Sequence, residues 1–304
     1  MILMKLFLKV FMILNIAEAK KIDIQIPDGK SLLVWLSHDV DWVKKDFIHS
    51  VYYFLYQKRV YHLKTLFSRK NTYWNFNTIM ELETCYNAKS TFFFLNESMK
   101  PDLKKLNSFF ISRGRYNIGD THIVRMIKEI DREGWEIGVH GSYNSYMNET
   151  LLTREKSTLE QIVGHEIKGI RQHYLNLKIP VTWQIQKRIG FVYDSSFMMK
   201  KNYGLKESII QPFKPLNDNF TVFPISIMDC FFDNKTRDFK TMTQLINDLI
   251  KQCIDKKSVL TIVWHLRTIN KSEFPFLYKC YEYMLDYLYK INAKFILPMD
   301  LLYE

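Results

Sequence analysis

Residues 32–41 read Leu-Leu-Val-Trp-Leu-Ser-His-Asp-Val-Asp. The five leading apolar residues describe a strand buried on both faces, as strands of parallel sheets are. Polarity then arrives at once. Asp39 and Asp41 are two apart, so in an extended chain their side chains point to the same side. Two carboxylates held close repel, and one pKa rises unless a cation is shared. Metal binding by one and base duty by the other would resolve that conflict. A simpler role, capping a helix from Trp42, is common for Asp. The apolar strand nevertheless leads straight into both carboxylates, which favours chemistry.

Along the rest of the chain, short β-branched or aromatic runs alternate with helical patterns. Further strands are expected at 90–95, 136–140, 168–171, 191–194, 222–227, 259–264 and 294–297. Helices are expected at 42–67, 120–133, 151–165, 180–190, 241–254 and 276–291, with Gly134 and Gly190 as stops. Strand-then-helix repeated about seven times predicts an α/β fold with a parallel sheet and helical crossovers. At that count, closure into a barrel of about seven strands is more economical than one open sheet. No linker or repeat divides the chain, so one domain is expected over 31–304.

In such barrels chemistry gathers at the C-terminal ends of the strands. The polar residues ending these strands are Asp39 and Asp41, His140, Arg171 and His173, Asp194, Asp229 and His265. Two histidines with an aspartate pair fit a divalent-metal hydrolase, since imidazole and carboxylate suit zinc and related ions. Arg171 is a fixed cation that could pin a carboxylate through two hydrogen bonds.

The order of these segments resembles the polysaccharide deacetylases, carbohydrate esterase family four, from residue 32 to the C-terminus. The segments that carry the resemblance are LSHDVD at 36–41, STFFFL at 90–95, GWEIGVHGSYNSY at 134–146, GIRQHYL at 169–175, GFVYDSS at 190–196 and TIVWH at 261–265. The resemblance implies a distorted (β/α) barrel and metal-dependent removal of N- or O-acetyl groups from sugars. By position, Asp39 resembles the general base, Asp41 and His140 resemble metal ligands, and His265 resembles the general acid. Arg171 resembles the residue that holds Asp39, the Tyr174 backbone N–H an oxyanion donor, and Asp194 a polar neighbour of the acid histidine. Val40 separates the two aspartates, which the family usually has adjacent, as in its D-x-D branch. Asn144 stands four residues after His140, where the family has its second metal histidine. For the third ligand, position favours Asn144 and ligand chemistry favours His173; Asn144 is the expectation. The cofactor expected is a divalent ion, with zinc ahead of cobalt and nickel.

Composition narrows the remaining classes. The 304 residues are 47% hydrophobic and 25% charged, ordinary globular values that exclude disorder and collagen. Lys+Arg 43 against Asp+Glu 32 gives +11, which favours anionic partners. No nucleic-acid motif is present, so the partner expected is a carbohydrate, anionic or lipid-linked. Cys85, Cys230, Cys253 and Cys280 are far apart and read as reduced thiols, which points to the cytoplasm. Residues 1–19, with Lys5, an apolar stretch and Ala17-Glu18-Ala19, read as an N-terminal helix or a secretory signal, the latter implying export. No apolar run reaches the 18 or so residues of a membrane span. Two rival functions are a glycosidase built on Asp39 and Asp41 and a glycan-binding protein without catalysis. The first needs its carboxyls on opposite sides of the scissile bond, whereas these two share one strand face.

Overall fold

The computed structural model of the chain describes residues 19–67, 71–99, 111–112, 115–198, 211–233 and 238–302. The N-terminal helix or signal expected over 1–19 lies, but for Ala19, outside these residues, and the first described strand, β1, is Lys20–Lys21. The remaining strands are β2 (Leu33–Val40), β3 (Ser90–Leu95), β4 (Glu136–Gly141), β5 (Gly169–Gln172), β6 (Tyr193–Asp194), β7 (Phe213–Lys214), β8 (Thr221–Val222), β9 (Ile227–Met228), β10 (Val259–Val263) and β11 (Lys294–Phe295). The described helices are α1 (Phe47–Gln57), α2 (Tyr61–Lys64), α3 (Phe76–Thr84), α4 (Thr121–Arg132), α5 (Glu149–Val163), α6 (Val181–Arg188), α7 (Cys230–Asp233), α8 (Phe239–Asp255), α9 (Pro275–Lys290) and α10 (Pro298–Leu302).

Eight strands run parallel in the order β8-β6-β5-β4-β3-β2-β10-β9. β7 and β1 extend one end antiparallel, and β11 joins β2. Pro224 explains how this arc curls. Lacking an N–H, it cannot continue a ladder, so the strand expected at 222–227 is split. Its first half pairs with β6 and its second with β10, the opposite ends of the arc. Five residue steps separate Val222 from Ile227, a reach of at most about 18 Å. The bridge is sutured on both sides, with Phe223 N donating to Asp194 O and Ser226 N to Thr261 O. The α/β barrel is therefore closed by a linking segment instead of by strand pairing, which is its distortion.

The helical region expected at 42–67 is also broken. Asp46 caps α1 by accepting from His49 N, so the helix starts only at Phe47, and Lys58 ends it in the left-handed region (φ 54°).

Alternation along the strands sorts side chains between two cores. One lies between the sheet and its helices, with Phe92, Phe94, Ile127 and Trp264 among its members. The other plugs the barrel floor with Trp35, Phe93, Tyr193 and Phe223. Trp35 meets Phe93, Tyr193 and Phe223 edge-on at centroid distances of 6.2, 5.5 and 5.4 Å. Glycines make room for these rings. A Cβ on Gly138 would lie 2.5 Å from the Phe93 ring, and one on Gly169 would lie 2.1 Å from the Tyr193 ring.

Glu136 also faces this floor, accepting hydrogen bonds from Tyr193 Oη at 2.8 Å and from Thr91 Oγ1. Burial raises its pKa from 4.5 to about 7, against the lowering effect of those bonds. A raised folded-state pKa means the folded chain keeps a proton the unfolded chain has lost. Its contribution to stability is complete below about pH 4.5 and is lost as pH rises through 7. Glu136→Gln is therefore expected to raise the melting temperature at pH 8 more than at pH 5. Equal shifts at both pH values would refute this.

Candidate active site

The ends of β2, β4, β5, β9 and β10 contribute the parts of a cluster above the aromatic floor. Ser37 and Asp39 on β2 point inward, so His38 between them points outward, where it meets Trp264 O and Glu83. Arg171, at the end of β5, is fully buried and donates to Asp39 Oδ1 at 2.7 Å. The pairing expected to use two bonds uses one, because the remaining donors are engaged elsewhere. Nε reaches Ser195 O at 2.9 Å, and Nη2 reaches Ser37 Oγ and Ser195 Oγ at 2.9 and 3.0 Å. The guanidinium lies 4.4 Å over the Phe93 ring, which seats it on the floor. Burial pushes the Asp39 carboxyl up in pKa, but Arg171, His140 and His265 outweigh that and leave it below its usual range. Asp39 is thus ionised, with Oδ2 turned toward His140 Nε2, 4.0 Å away.

Asp41 lies one turn of the pleat higher. Its Oδ1 is 3.1 Å from His140 Nε2 and 3.8 Å from His173 Nε2. Its Oδ2 is 3.6 Å from both His265 Nε2 and Arg267 Nη1. Burial raises the Asp41 pKa, but His140, His173 and His265 together hold it well below the ordinary value. Although buried, Oδ1 has no hydrogen-bond partner. His140 Nδ1 bonds Arg171 O at 2.8 Å, which commits one ring N–H to that carbonyl. Nε2 then faces Oδ1 either with a second proton or with a lone pair. Two lone pairs at that distance are tolerable only around a shared cation.

The groups of Asp41, His140 and His173 have donor atoms within 4.8 Å of one another. Asn144, the third ligand expected, is exposed. After His140 the chain winds into a turn, with Ser145 N and Oγ both donating to Ser142 O, and this leaves Asn144 exposed at the head of a 3-10 turn. His173, the other candidate, lies beside Asp41 and His140, because it follows Arg171 by two and shares its side of the chain. Burial drives the His173 pKa down to about 3, so its ring is neutral. Immediately beyond, Tyr174 and Leu175 are both left-handed (φ 58° and 53°), which turns the backbone sharply above the cluster.

His265 follows β10. Its Nδ1 lies 2.7 Å from Asp229 Oδ1, and Asp229 also accepts from His265 N and Thr268 Oγ1. Burial lowers the His265 pKa, but Asp229 outweighs it and the result is raised. Asp194, expected beside this histidine, is not there. Tyr193 faces the floor, so the next residue of β6 faces the helices. The Asp194 carboxylate accepts from Gln186 Nε2 at 2.9 Å, Trp183 Nε1 at 3.3 Å and Ser196 N at 2.9 Å. Its role in the structure is to tie α6 to the sheet.

Sequence reasoning placed Asp229 at a strand end without a partner and missed two arginines. Arg267, two residues past His265, carried that positional signal. Arg115 carried none; it donates to Asp41 O at 3.1 Å, lies 3.3 Å from His173 Nε2 and covers the Trp42 ring at 4.6 Å.

No family model and no curated protein matches the sequence. Solved structures do match. A structure from Mycobacterium smegmatis, provisionally described as a polysaccharide deacetylase, is 15% identical over 93% of each chain, with a TM-score of 0.59. One from Pseudomonas aeruginosa PAO1, described in similar terms, is 13% identical over 91% of this chain and 92% of that one, with a TM-score of 0.57. PuuE allantoinase is 13% identical over 91% of each chain, with a TM-score of 0.55. What these proteins share with the chain is the fold.

Proposed function

We propose that this chain, built on the polysaccharide deacetylase fold, is a metal-dependent hydrolase that removes acetyl groups from a carbohydrate, N-linked in preference to O-linked. The observation that carries the reading is the buried, unpartnered Asp41 Oδ1 faced by the Nε2 atoms of His140 and His173. One carboxylate and two imidazoles suit zinc, which in catalytic sites takes three protein ligands and leaves a position open. The Nδ1 contact of His140 with a backbone carbonyl is the usual outer support of such a ligand. Asp41, His140 and His173 would hold the ion, which would polarise the acetyl carbonyl and lower the pKa of water toward neutrality.

The chain's own groups supply the proton transfers. Asp39, ionised beside Arg171, accepts the water proton at Oδ2, since Oδ1 is committed to the guanidinium. His265, with Nδ1 held by Asp229, donates from Nε2 to the leaving nitrogen. An amine leaves poorly without that proton, and the raised His265 pKa keeps it available near neutral pH. This is the ground for preferring an amide. The Tyr174 N–H, in the sharp turn above, is assigned to the developing oxyanion.

The test is metal content together with acetate release from N-acetylhexosamine oligomers. EDTA is expected to abolish turnover, and zinc, cobalt or nickel to restore it. Asp41→Asn and His173→Ala are each expected to weaken zinc binding at least roughly tenfold, on the scale of lost ligand support, whereas Asn144→Ala leaves it unchanged. Full activity in metal-free protein would sink the proposal, and glycan binding without acetate release would make the chain a binding protein.

A further inference from the structure

Helix α1 has no charged residue in eleven positions, and its outer side is apolar. Phe47 is 64% exposed, Leu55 67% and Tyr52 more than half, with Ile48 and Val51 partly exposed between them. At 100° per residue these five positions form one stripe. Ser50 and Tyr53, on the other side, are buried. Past the helix, Val60 and Phe67 are also exposed, Phe67 by 90%. Exposed Lys44, Lys58 and Lys64 flank it, and Asp46, the cap of α1, is the only acid between residues 42 and 67.

We propose that this face docks on an anionic lipid bilayer, with α1 lying in the headgroup region. We also propose that the substrate is an acetylated glycan carried on a lipid. A helix with an apolar stripe outward and lysines at its borders is the pattern of interfacial membrane binding. The chain's net charge of +11 adds attraction to an anionic surface. A patch of this kind on a monomer marks an interaction site. The face is rigidly mounted, because Arg59 donates to Glu273 O and Ser272 O, and Lys45 pairs with Glu273 at 2.9 Å. It also borders the site. Only five residues separate Asp41 from Phe47, and His49 of α1 packs on Trp42 at a centroid distance of 3.9 Å. A bilayer under α1 would therefore bring lipid-borne sugars to the end of the barrel where Asp41 lies. The substrate half of the proposal rests on the deacetylase reading; the docking half does not.

The full chain is sedimented with vesicles of phosphatidylcholine alone and with added phosphatidylglycerol. Binding to the anionic vesicles is expected, weakening as salt rises. Leu55→Glu is expected to lower the partition coefficient at least roughly tenfold, the effect of losing one buried leucine, and Phe67→Glu to act likewise. Asp41→Asn should bind vesicles as the parent does. Leu55→Glu should release acetate normally from a soluble oligomer but slowly from a vesicle-borne lipid-linked sugar. Docking would be overturned by no binding to anionic vesicles, by binding unaffected by Leu55→Glu, or by a dimer that Leu55→Glu dissolves. Protection of Leu55→Cys from maleimide in the vesicle-free monomer would likewise overturn it, by assigning the face to another part of the chain. Equal rates on vesicle-borne sugar would overturn the substrate half alone. Absence of acetate release from every substrate would remove the deacetylase reading and leave docking standing.

Discussion

Arg171→Met is expected to destabilise the fold by about 3–5 kcal/mol, the usual result of removing one partner from a buried ion pair. The guanidinium satisfies Asp39, Ser37 and Ser195 at once and has no exposure. Methionine fills much of the volume but leaves the Asp39 carboxylate charged, dry and unpaired. Asp39→Asn added to Arg171→Met should recover part of the loss, because the uncompensated charge is then gone. Calorimetric melting of the parent, both single variants and the double variant measures the coupling. A double variant no more stable than Arg171→Met alone would show that the charge pair is not what the arginine supports.

Asp39→Asn and His265→Ala are each expected to lower kcat for acetate release by at least roughly a hundredfold, the scale of a general base or acid. The two differ in substrate dependence. With an N-acetyl substrate His265→Ala should be severe, whereas with an acetyl ester of a good leaving group it should be mild. Asp39→Asn should be severe with both, since water must lose its proton in either case. Near-parental turnover by either variant on the N-acetyl substrate, in protein that melts normally, would overturn the assignment of roles.

The strand that begins this fold was readable because five consecutive apolar residues leave few alternatives, and its parity placed Asp39 and Asp41 together. His140 and His265 were readable for the same reason, each following a short run that ends in apolar residues, and Arg171 was readable as the end of the short strand expected at 168–171. The direction of Asp194 was not legible because β6 has two residues, and nothing in Phe191-Val192-Tyr193-Asp194 states which of them faces inward. Tyr193 does, so Asp194 cannot. Asp229 meets His265 only because Pro224 diverts the chain from one end of the arc to the other, a path local patterns do not encode. Asn144 against His173 turned on loop geometry, the turn after His140 and the left-handed pair at Tyr174 and Leu175. The outward apolar stripe of α1 went unnoticed because apolar periodicity is ordinarily assigned to a core.

The aromatic floor bears on traffic through the molecule. Trp35, Phe93, Tyr193 and Phe223 are packed without solvent exposure, and Arg171 lies directly on them. Among the described residues that end of the barrel is filled, so under the proposed chemistry water would arrive, and acetate and sugar would leave, on the side of Asp41, His173 and His265. Under the proposed chemistry acetate is released deepest, next to Asp39, with the sugar between it and solvent. On that chemistry the larger product would depart first, and acetate would escape only afterwards, leaving the next sugar to meet an occupied site.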